Sequence, residues 1–368
     1  MAVTEADRHA IRESLRRLLA DRCQEADVRR AIASDAGWDK DLWARLIELG
    51  LPGVAVAEAF GGLGGGEIEI ELAMEELGAA LAPTPFFSSA VLAASLLQHA
   101  ADQDAQRAYL PAIASGEIIA TVALTGDAGT FDEGDVAVSA KRAGGDWTLD
   151  GVASFVTYGC EADILFVLAR TPDGIGAFVV TTPSALERAP LKSIDPTQRL
   201  ARVTFNKATA TRLAGADRDT IERALDAARI ALAGEQAGAA RRIFDITVDY
   251  IKTRVQFGRA IGSFQAIKHM AADLMIEVES AASAARHAAA VLSNDGPDAR
   301  AAVNLAAFAC ADAFSKVAFD AIQMHGGIAF TTAHPAHLYL RRARFDAAFL
   351  GAPNLYRERF ISALENNA

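Results

Sequence analysis

The sequence predicts an α+β chain that is mostly α. An N-terminal α-helical domain covers 1–117, a middle antiparallel β-sandwich or barrel domain 118–213, and a C-terminal four-helix bundle 214–368. Apolar residues recur at helical spacing before residue 117 and again after Asp217. Between them lie short alternating apolar runs, about ten residues apart and punctuated by turn residues. That spacing favours an antiparallel sandwich or barrel over a βαβ sheet.

Residues 4–22 place Ile11, Leu15, Leu18 and Leu19 on one helical face, with charged residues opposite. Asp39 or Asp41 opens a second helix, with Leu42, Leu46 and Leu49 inward and Gly50 as its stop. The glycine run inside 58–67 lacks the Lys-Ser/Thr of a nucleotide loop and follows no strand, so it reads as a surface turn. A helix over 67–81 stops at Pro83 and Pro85, and helical pattern resumes over 88–115. Strands are expected at 118–124, 136–141, 146–151, 164–169, 176–181 and 201–205. Residues 218–256, 264–292, 297–323 and 335–364 then read as long helices, with Ala-rich faces suited to close packing.

Composition excludes several functions. A net charge of −11 with no basic stripe excludes a nucleic-acid surface, because phosphate would be repelled. Cys23, Cys160 and Cys310 are too far apart and too few for a disulfide framework or a zinc set. His325, His334 and His337 are close in sequence, but no Cys or carboxylate ligand pattern accompanies them, so no metal is expected. The most apolar stretch, 301–320, carries Asn304, Asp312, Lys316 and Asp320, and reads as no membrane span. The acidic N-terminus lacks the apolar core of a signal peptide, and the expected compartment is the cytoplasm.

The stretch from Asp249 to His269 concentrates unusual chemistry. It begins as a helix, breaks at Phe257-Gly258 and restarts near Gln265. Arg254 and Gln265, a fixed cation and an amide, flank the break. A cation beside a glycine turn and a helix start can seat a phosphate; on local chemistry alone a helix–turn–helix corner with a solvated Arg is the favoured reading, because such corners are common.

Four stretches in order resemble the acyl-CoA dehydrogenase family over nearly the full length. Leu124-Thr125-Gly126-Asp127-Ala128-Gly129 is similar to the family's Leu-Thr-Glu-Pro-x-Ala-Gly loop. Trp147 to Gly151, followed by Phe155-Val156-Thr157-Tyr158-Gly159 and Ala162-Asp163, is similar to Leu-Asn-Gly-x-Lys-x-x-Ile-Thr-Asn-Gly-x-x-Ala-Asp. Arg254-Val255-Gln256-Phe257-Gly258 and Phe264-Gln265 match Arg-x-Gln-Phe-Gly and Phe-Gln. Gln323-Met324-His325-Gly326-Gly327-Ile328-Ala329-Phe330 is similar to Gln-x-x-Gly-Gly-x-Gly-Phe.

The resemblance implies FAD held between the middle domain and the bundle, with an acyl-CoA substrate dehydrogenated to the trans-2-enoyl-CoA and electrons passed to an electron-transfer flavoprotein. It implies Arg254 on the FAD pyrophosphate of a neighbouring subunit, with Phe257 and Gln265 beside it. Gln323 and Gly327 would lie on the adenosine side across a subunit interface, and Thr125 and Thr157 at the isoalloxazine. Phe155 stands where the family carries Trp over the flavin. A shared cofactor site implies a homo- or hetero-oligomer, a dimer or tetramer. Arg229 matches a family Arg near the CoA end, although a helix-surface charge fits the residue equally.

The same resemblance exposes a departure. The reaction needs a carboxylate within hydrogen-bond reach of the α-proton and donors for the developing enolate oxygen. The family places that Glu either before the Gly of Tyr-Glu-Gly-Thr or in the first bundle helix before an Arg. Leu350 and Ala228 occupy those positions here, and neither side chain accepts a proton. Asp346, four residues before Leu350, would share its helix face and is the candidate for a relocated base; an ion pair with Arg342 is the simpler role. Ala352-Pro353-Asn354 replaces the family's Thr-x-Gln, another contact to FAD. Such losses resemble heteromeric bacterial acyl-CoA dehydrogenases acting on bulky sterol-derived acyl-CoAs, in which one subunit keeps the base. The segment from Asp195 to Val203 is also similar to them. The alternative function is thus a non-catalytic structural subunit that completes a partner's FAD site.

Overall fold

The computed structural model describes residues 3–144, 146–181 and 186–366. Helix α1 (Glu5–Arg22) opens on a capping box: Asp7 N–H donates to Thr4 Oγ1 at 3.2 Å, and Thr4 N–H to Asp7 Oδ2 at 2.9 Å. Helix α2 (Glu25–Ala33) was not expected, because it buries only Val28 and Ala31, too few residues to set a period. Helix α3 (Lys40–Glu48) starts on the Asp39 carboxylate, and Gly50 follows at φ 71°. The glycine run is a folded turn in which a Cβ on Gly62 would lie 2.0 Å from the Val56 carbonyl oxygen.

Helix α4 (Glu67–Ala79) is followed by a π-helical stretch, Phe87–Ala93, which runs into α5 (Ala94–His99). The expected single helix over 88–115 is therefore broken. Ala100 leaves helical geometry, and Asp102 accepts the Ala105 N–H to begin α6 (Gln103–Ala114).

The middle segment contributes β1 (Ala120–Ala123), β2 (Ser139–Ala143), β3 (Asp146–Thr157), β4 (Ile164–Thr171), β5 (Gly174–Val180), β6 (Leu186–Leu191) and β7 (Leu200–Arg212). Strands β4, β2, β3, β7 and β5 close into a ring, because β5 pairs with both β7 and β4. The closed sheet leaves few free edges and buries Leu149, Leu165, Val167, Phe178, Val203 and Phe205. The antiparallel expectation needs correction at two places. β1 pairs parallel with β4, and β2 meets β4 in parallel at Ser139↔Arg170. Each pair is separated by a long excursion of chain, which is what parallel pairing requires.

The C-terminal helices are α7 (Arg218–Thr253), α8 (Gln265–Ser293), α9 (Ala299–His325), α10 (Ala336–Asp346) and α11 (Pro353–Asn366). Helix α7 is the axis of the molecule. It packs against α8 and α9 and also crosses α4, where the backbones come so close that a Cβ on Gly238 would meet the Glu75 carbonyl oxygen at 1.8 Å. The single helix expected over 335–364 is two helices. Leu350 at φ 61° and Gly351 at φ 123° break it, and Pro353 restarts it at the first position of α11.

Candidate functional site

The corner predicted at Arg254 is a hairpin. Helix α7 stops at Thr253, and Arg254 is its extended C-cap. Strands β8 (Val255–Gln256) and β9 (Arg259–Ala260) pair across Phe257 and Gly258, both at positive φ, as a tight two-residue turn demands. Phe257 is 92% exposed and stands edge-on to Phe264 at 6.1 Å; the Arg259 guanidinium lies 4.0 Å over the Phe264 ring. Gln265 begins α8 with no side-chain cap on the helix, leaving its first N–H groups open. Arg254 is exposed and makes no ion pair among the described residues.

Gln323, in the last turn of α9, and Gly327, in the 3-10 turn that follows (Gly326–Phe330), lie at this same end. Tyr250, one turn before Arg254, stacks on His325 at 4.5 Å and donates its hydroxyl to the His325 carbonyl at 3.3 Å. His325 is buried, which lowers its pKa and keeps it neutral at pH 7. It stacks 4.2 Å from His334, and no metal cluster exists among the described residues. Phe330 and Ile328 leave this end apolar and open, at 81% and 41% exposure.

The three expected residues of the barrel differ in their commitments. The Thr125 hydroxyl donates to Asp135, so it is engaged within the chain. Phe155, at φ 58°, packs its ring on Gly129, where a Cβ would come within 2.9 Å. Thr157 is buried and its carbonyl accepts from Thr121 Oγ1 at 2.6 Å, yet its own hydroxyl has no partner among the described residues. A buried hydroxyl left unsatisfied costs about 1–3 kcal/mol, so Thr157 suits an incoming polar group.

A cleft of about 300 Å³ opens between the barrel and the start of α7. Its walls are apolar at Leu124, Val136, Leu168, Ile175 and Leu350, and charged of both signs, with Arg218, Arg229 and Arg359 beside Asp132, Glu133 and Glu222. Arg229 is no surface charge: it is 4% exposed, and Nη1 donates to Glu222 at 3.0 Å and Asp226 at 2.5 Å. Its guanidinium also lies 5.7 Å over the Tyr356 ring. Burial pushes the Asp226 carboxyl up, and Arg229 works against that shift.

Neither position at which the resemblance expects the base holds a proton acceptor. Ala228 is fully buried in α7. Leu350 is buried at the cleft, outside any helix, and its carbonyl accepts the Tyr356 hydroxyl. Gly351 is required next to it, since a Cβ there would sit 3.0 Å from both Leu355 Cδ2 and the Tyr356 oxygen.

Asp346 does not share a helix face with Leu350, because α10 ends at Asp346. Nor does it take the Arg342 ion pair. That guanidinium, itself buried, donates instead to Asp195, Glu235 and Thr197. Both Asp346 carboxyl oxygens lack partners among the described residues. Burial, then the nearby Glu235 charge, raises its pKa well above the carboxylate range. Only the ionised carboxylate accepts a proton, so an environment that disfavours ionisation also disfavours the role. The Arg342 cluster and the ring contact between Phe345 and Phe349 at 5.2 Å were missed in the sequence. Only an Arg inside an apolar helix and two Phe at i,i+4 spacing hinted at them.

Residues 5–117 match the acyl-CoA dehydrogenase N-terminal domain and 218–364 the acyl-CoA dehydrogenase C-terminal domain. Acyl-CoA dehydrogenase IpdE2 of Mycobacterium tuberculosis is 35% identical over 357 residues, covering 97% of this chain and 96% of that protein. Among solved structures, the ChsE4-ChsE5 complex from Mycobacterium tuberculosis superposes with a TM-score of 0.91 at 29% identity, covering 98% of both chains. A steroid ACAD variant, Tcur3481-Tcur3483 G363A, gives 0.89 at 28%, also over 98% of both. Matched at both ends and along nearly its whole length, the chain belongs to the acyl-CoA dehydrogenase family.

Proposed function

We propose that this chain is one subunit of a heteromeric acyl-CoA dehydrogenase-type flavoprotein, and that the general base of the reaction comes from a partner subunit. The observation that carries this reading is the pair Leu350 and Ala228. Both family base positions hold buried carbon side chains, and at the alternative, Asp346, burial and the Glu235 charge disfavour the ionised form. The solved relatives that resemble this chain include a two-protein complex and a steroid ACAD, which supports a heteromer acting on a sterol-derived acyl-CoA.

The family uses FAD, which when bound accepts the substrate's β-hydride and passes the electrons on, in this reading to an electron-transfer flavoprotein. The residues present fit parts of that group. The unpaired Arg254 and the open first turn of α8 suit a pyrophosphate, and exposed Phe257, Gln265, Gln323 and Gly327 suit the adenosine half. The orphaned Thr157 hydroxyl suits a polar ring edge, with Phe155 as the aromatic wall.

Arg254 lies 25 residues along α7 from Arg229, about 37 Å at helical rise. The corner and the cleft thus serve different cofactor sites, and the corner belongs to the site of a neighbouring subunit. Arg229 orients the acyl-CoA at the cleft mouth, held by Glu222 and Asp226.

Co-expression with a homologue from the same operon that carries Glu at the Leu350 position tests this reading. The pair is expected to be yellow and to bleach with an acyl-CoA, and this chain alone to stay unbleached. Bleaching by this chain purified alone would show that it has its own base, and the partner reading would fail.

A further inference from the structure

The cleft does not continue inward, and what closes it is a stack of phenylalanines. Phe131 lines the cleft beside Leu350. Behind it stands Phe349, whose ring centroid is 5.3 Å from Phe131, 5.6 Å from Phe87 and 5.2 Å from Phe345. Phe87, Phe345 and Phe349 then face a second chamber of about 20 Å³, the one lined by Thr157. Four rings at edge-on or stacked distances form a cohesive wall, each pair worth about 0.5–1.5 kcal/mol beyond its buried area.

The backbone is shaped to hold that wall. Phe131 and Leu350, on its cleft side, both take left-handed conformations, at φ 56° and 61°, which L-residues rarely adopt. Phe87 opens the π-helical stretch, whose wide turns are uncommon in helices and favoured at functional places. Phe349 is 6% exposed and touches each of the other three rings, so it is the keystone.

We propose that Phe349 is a specificity-determining stopper: it confines an acyl group to the outer cleft and bars it from the chamber that holds the Thr157 hydroxyl. This rests on the reading of the cleft as an acyl-CoA site. The stopper closes the chain's own dehydrogenation path independently of the missing base. The chain can hold a thioester in its cleft without presenting it to the inner chamber.

Calorimetric titration of the full chain, in the assembly in which it purifies, tests this with CoA and a series of saturated straight-chain acyl-CoAs. For the wild type, affinity rises with acyl length and then stops once the outer cleft is filled. For Phe349→Ala the rise continues beyond that length, about fourfold per added methylene that finds apolar space. Phe349→Leu, which keeps more of the packing, moves the limit less and serves if the Ala variant fails to fold. A limit unmoved in a folded variant, or no limit in the wild type, overturns the stopper. Failure of CoA and every acyl-CoA to bind any form overturns the acyl-CoA reading of the cleft instead.

Discussion

The two ends of α7 are built on opposite terms. At its C-terminal end, Arg254, Phe257 and Gln265 are exposed, and Arg254 makes no ion pair among the described residues. At its N-terminal end, Arg229 is buried between Glu222, Asp226 and Tyr356. A little further along, Glu235 meets the buried Arg342 from α10. The exposed end leaves its polar groups to solvent, whereas the buried end pairs its charges internally, with carbon side chains at Leu350 and Ala228.

The internally completed end is where substitution is expected to cost most. Arg342→Ala leaves Asp195 and Glu235 buried without their cation, and such loss of one partner costs about 3–5 kcal/mol. Denaturant unfolding should show that loss at pH 7. A loss under about 1 kcal/mol would mean the cluster is solvated, and the contrast between the two ends would weaken.

The pH dependence should follow the same side of the molecule. Glu71, on the face of α4 that crosses α7, is buried with one carboxyl oxygen unpartnered, and burial pushes its pKa up to about 8. Its folded pKa exceeds its unfolded value of 4.5, so the folded state binds more protons between them. Stability from this group is full below pH 4.5 and is lost as pH rises toward about 8. The loss is on the order of 5 kcal/mol. Asp346 shifts in the same direction, through burial and the Glu235 charge. Glu71→Gln should flatten the slope between pH 5 and 8, measured by unfolding midpoints in a buffer series, with Asp346→Asn flattening what remains. Unchanged slopes in both variants would place the titration elsewhere.

Leu350→Glu asks whether the missing base alone silences the cleft. A neutral carboxyl group at this buried position costs about 1–3 kcal/mol of stability, and its ionised form costs more. The variant is expected to stay unable to bleach bound flavin with an acyl-CoA, because Phe349 still separates the cleft from Thr157. Bleaching by the single variant would reduce the difference between the two ends to one residue.

How much of this was legible in the sequence depended on the range of the interactions. The corner could be read because its turn chemistry lies within Asp249–His269, where Phe257-Gly258 sets the hairpin locally. The barrel strands could be read from their period, but the parallel β1–β4 pairing depends on partners 44 residues apart. The Arg342 cluster joins residues separated by 107 and 147 positions, and no local pattern encodes that. The break at Leu350 was hidden for a related reason. A leucine at positive φ is held there by the Tyr356 hydroxyl, six residues further on, and by the packed cleft, against its own preference. Local periodicity continued through it and predicted one helix.

The smallest expected effect on folding is also the sharpest test of the exposed end. The Arg254 side chain makes no ion pair among the described residues and lies on the surface, so Arg254→Ala should change the unfolding free energy by no more than about 0.5 kcal/mol. If its cation instead completes a phosphate site in a neighbouring subunit, the same change should weaken FAD retention by the assembled protein about tenfold to a hundredfold, the worth of one charge-assisted hydrogen bond. Flavin released on gel filtration, read by absorbance, separates the two quantities. Retained flavin in a stable Arg254→Ala assembly would make the corner an ordinary solvated turn. Lost flavin at unchanged stability would show an end of α7 whose residues matter only to the molecule beside it.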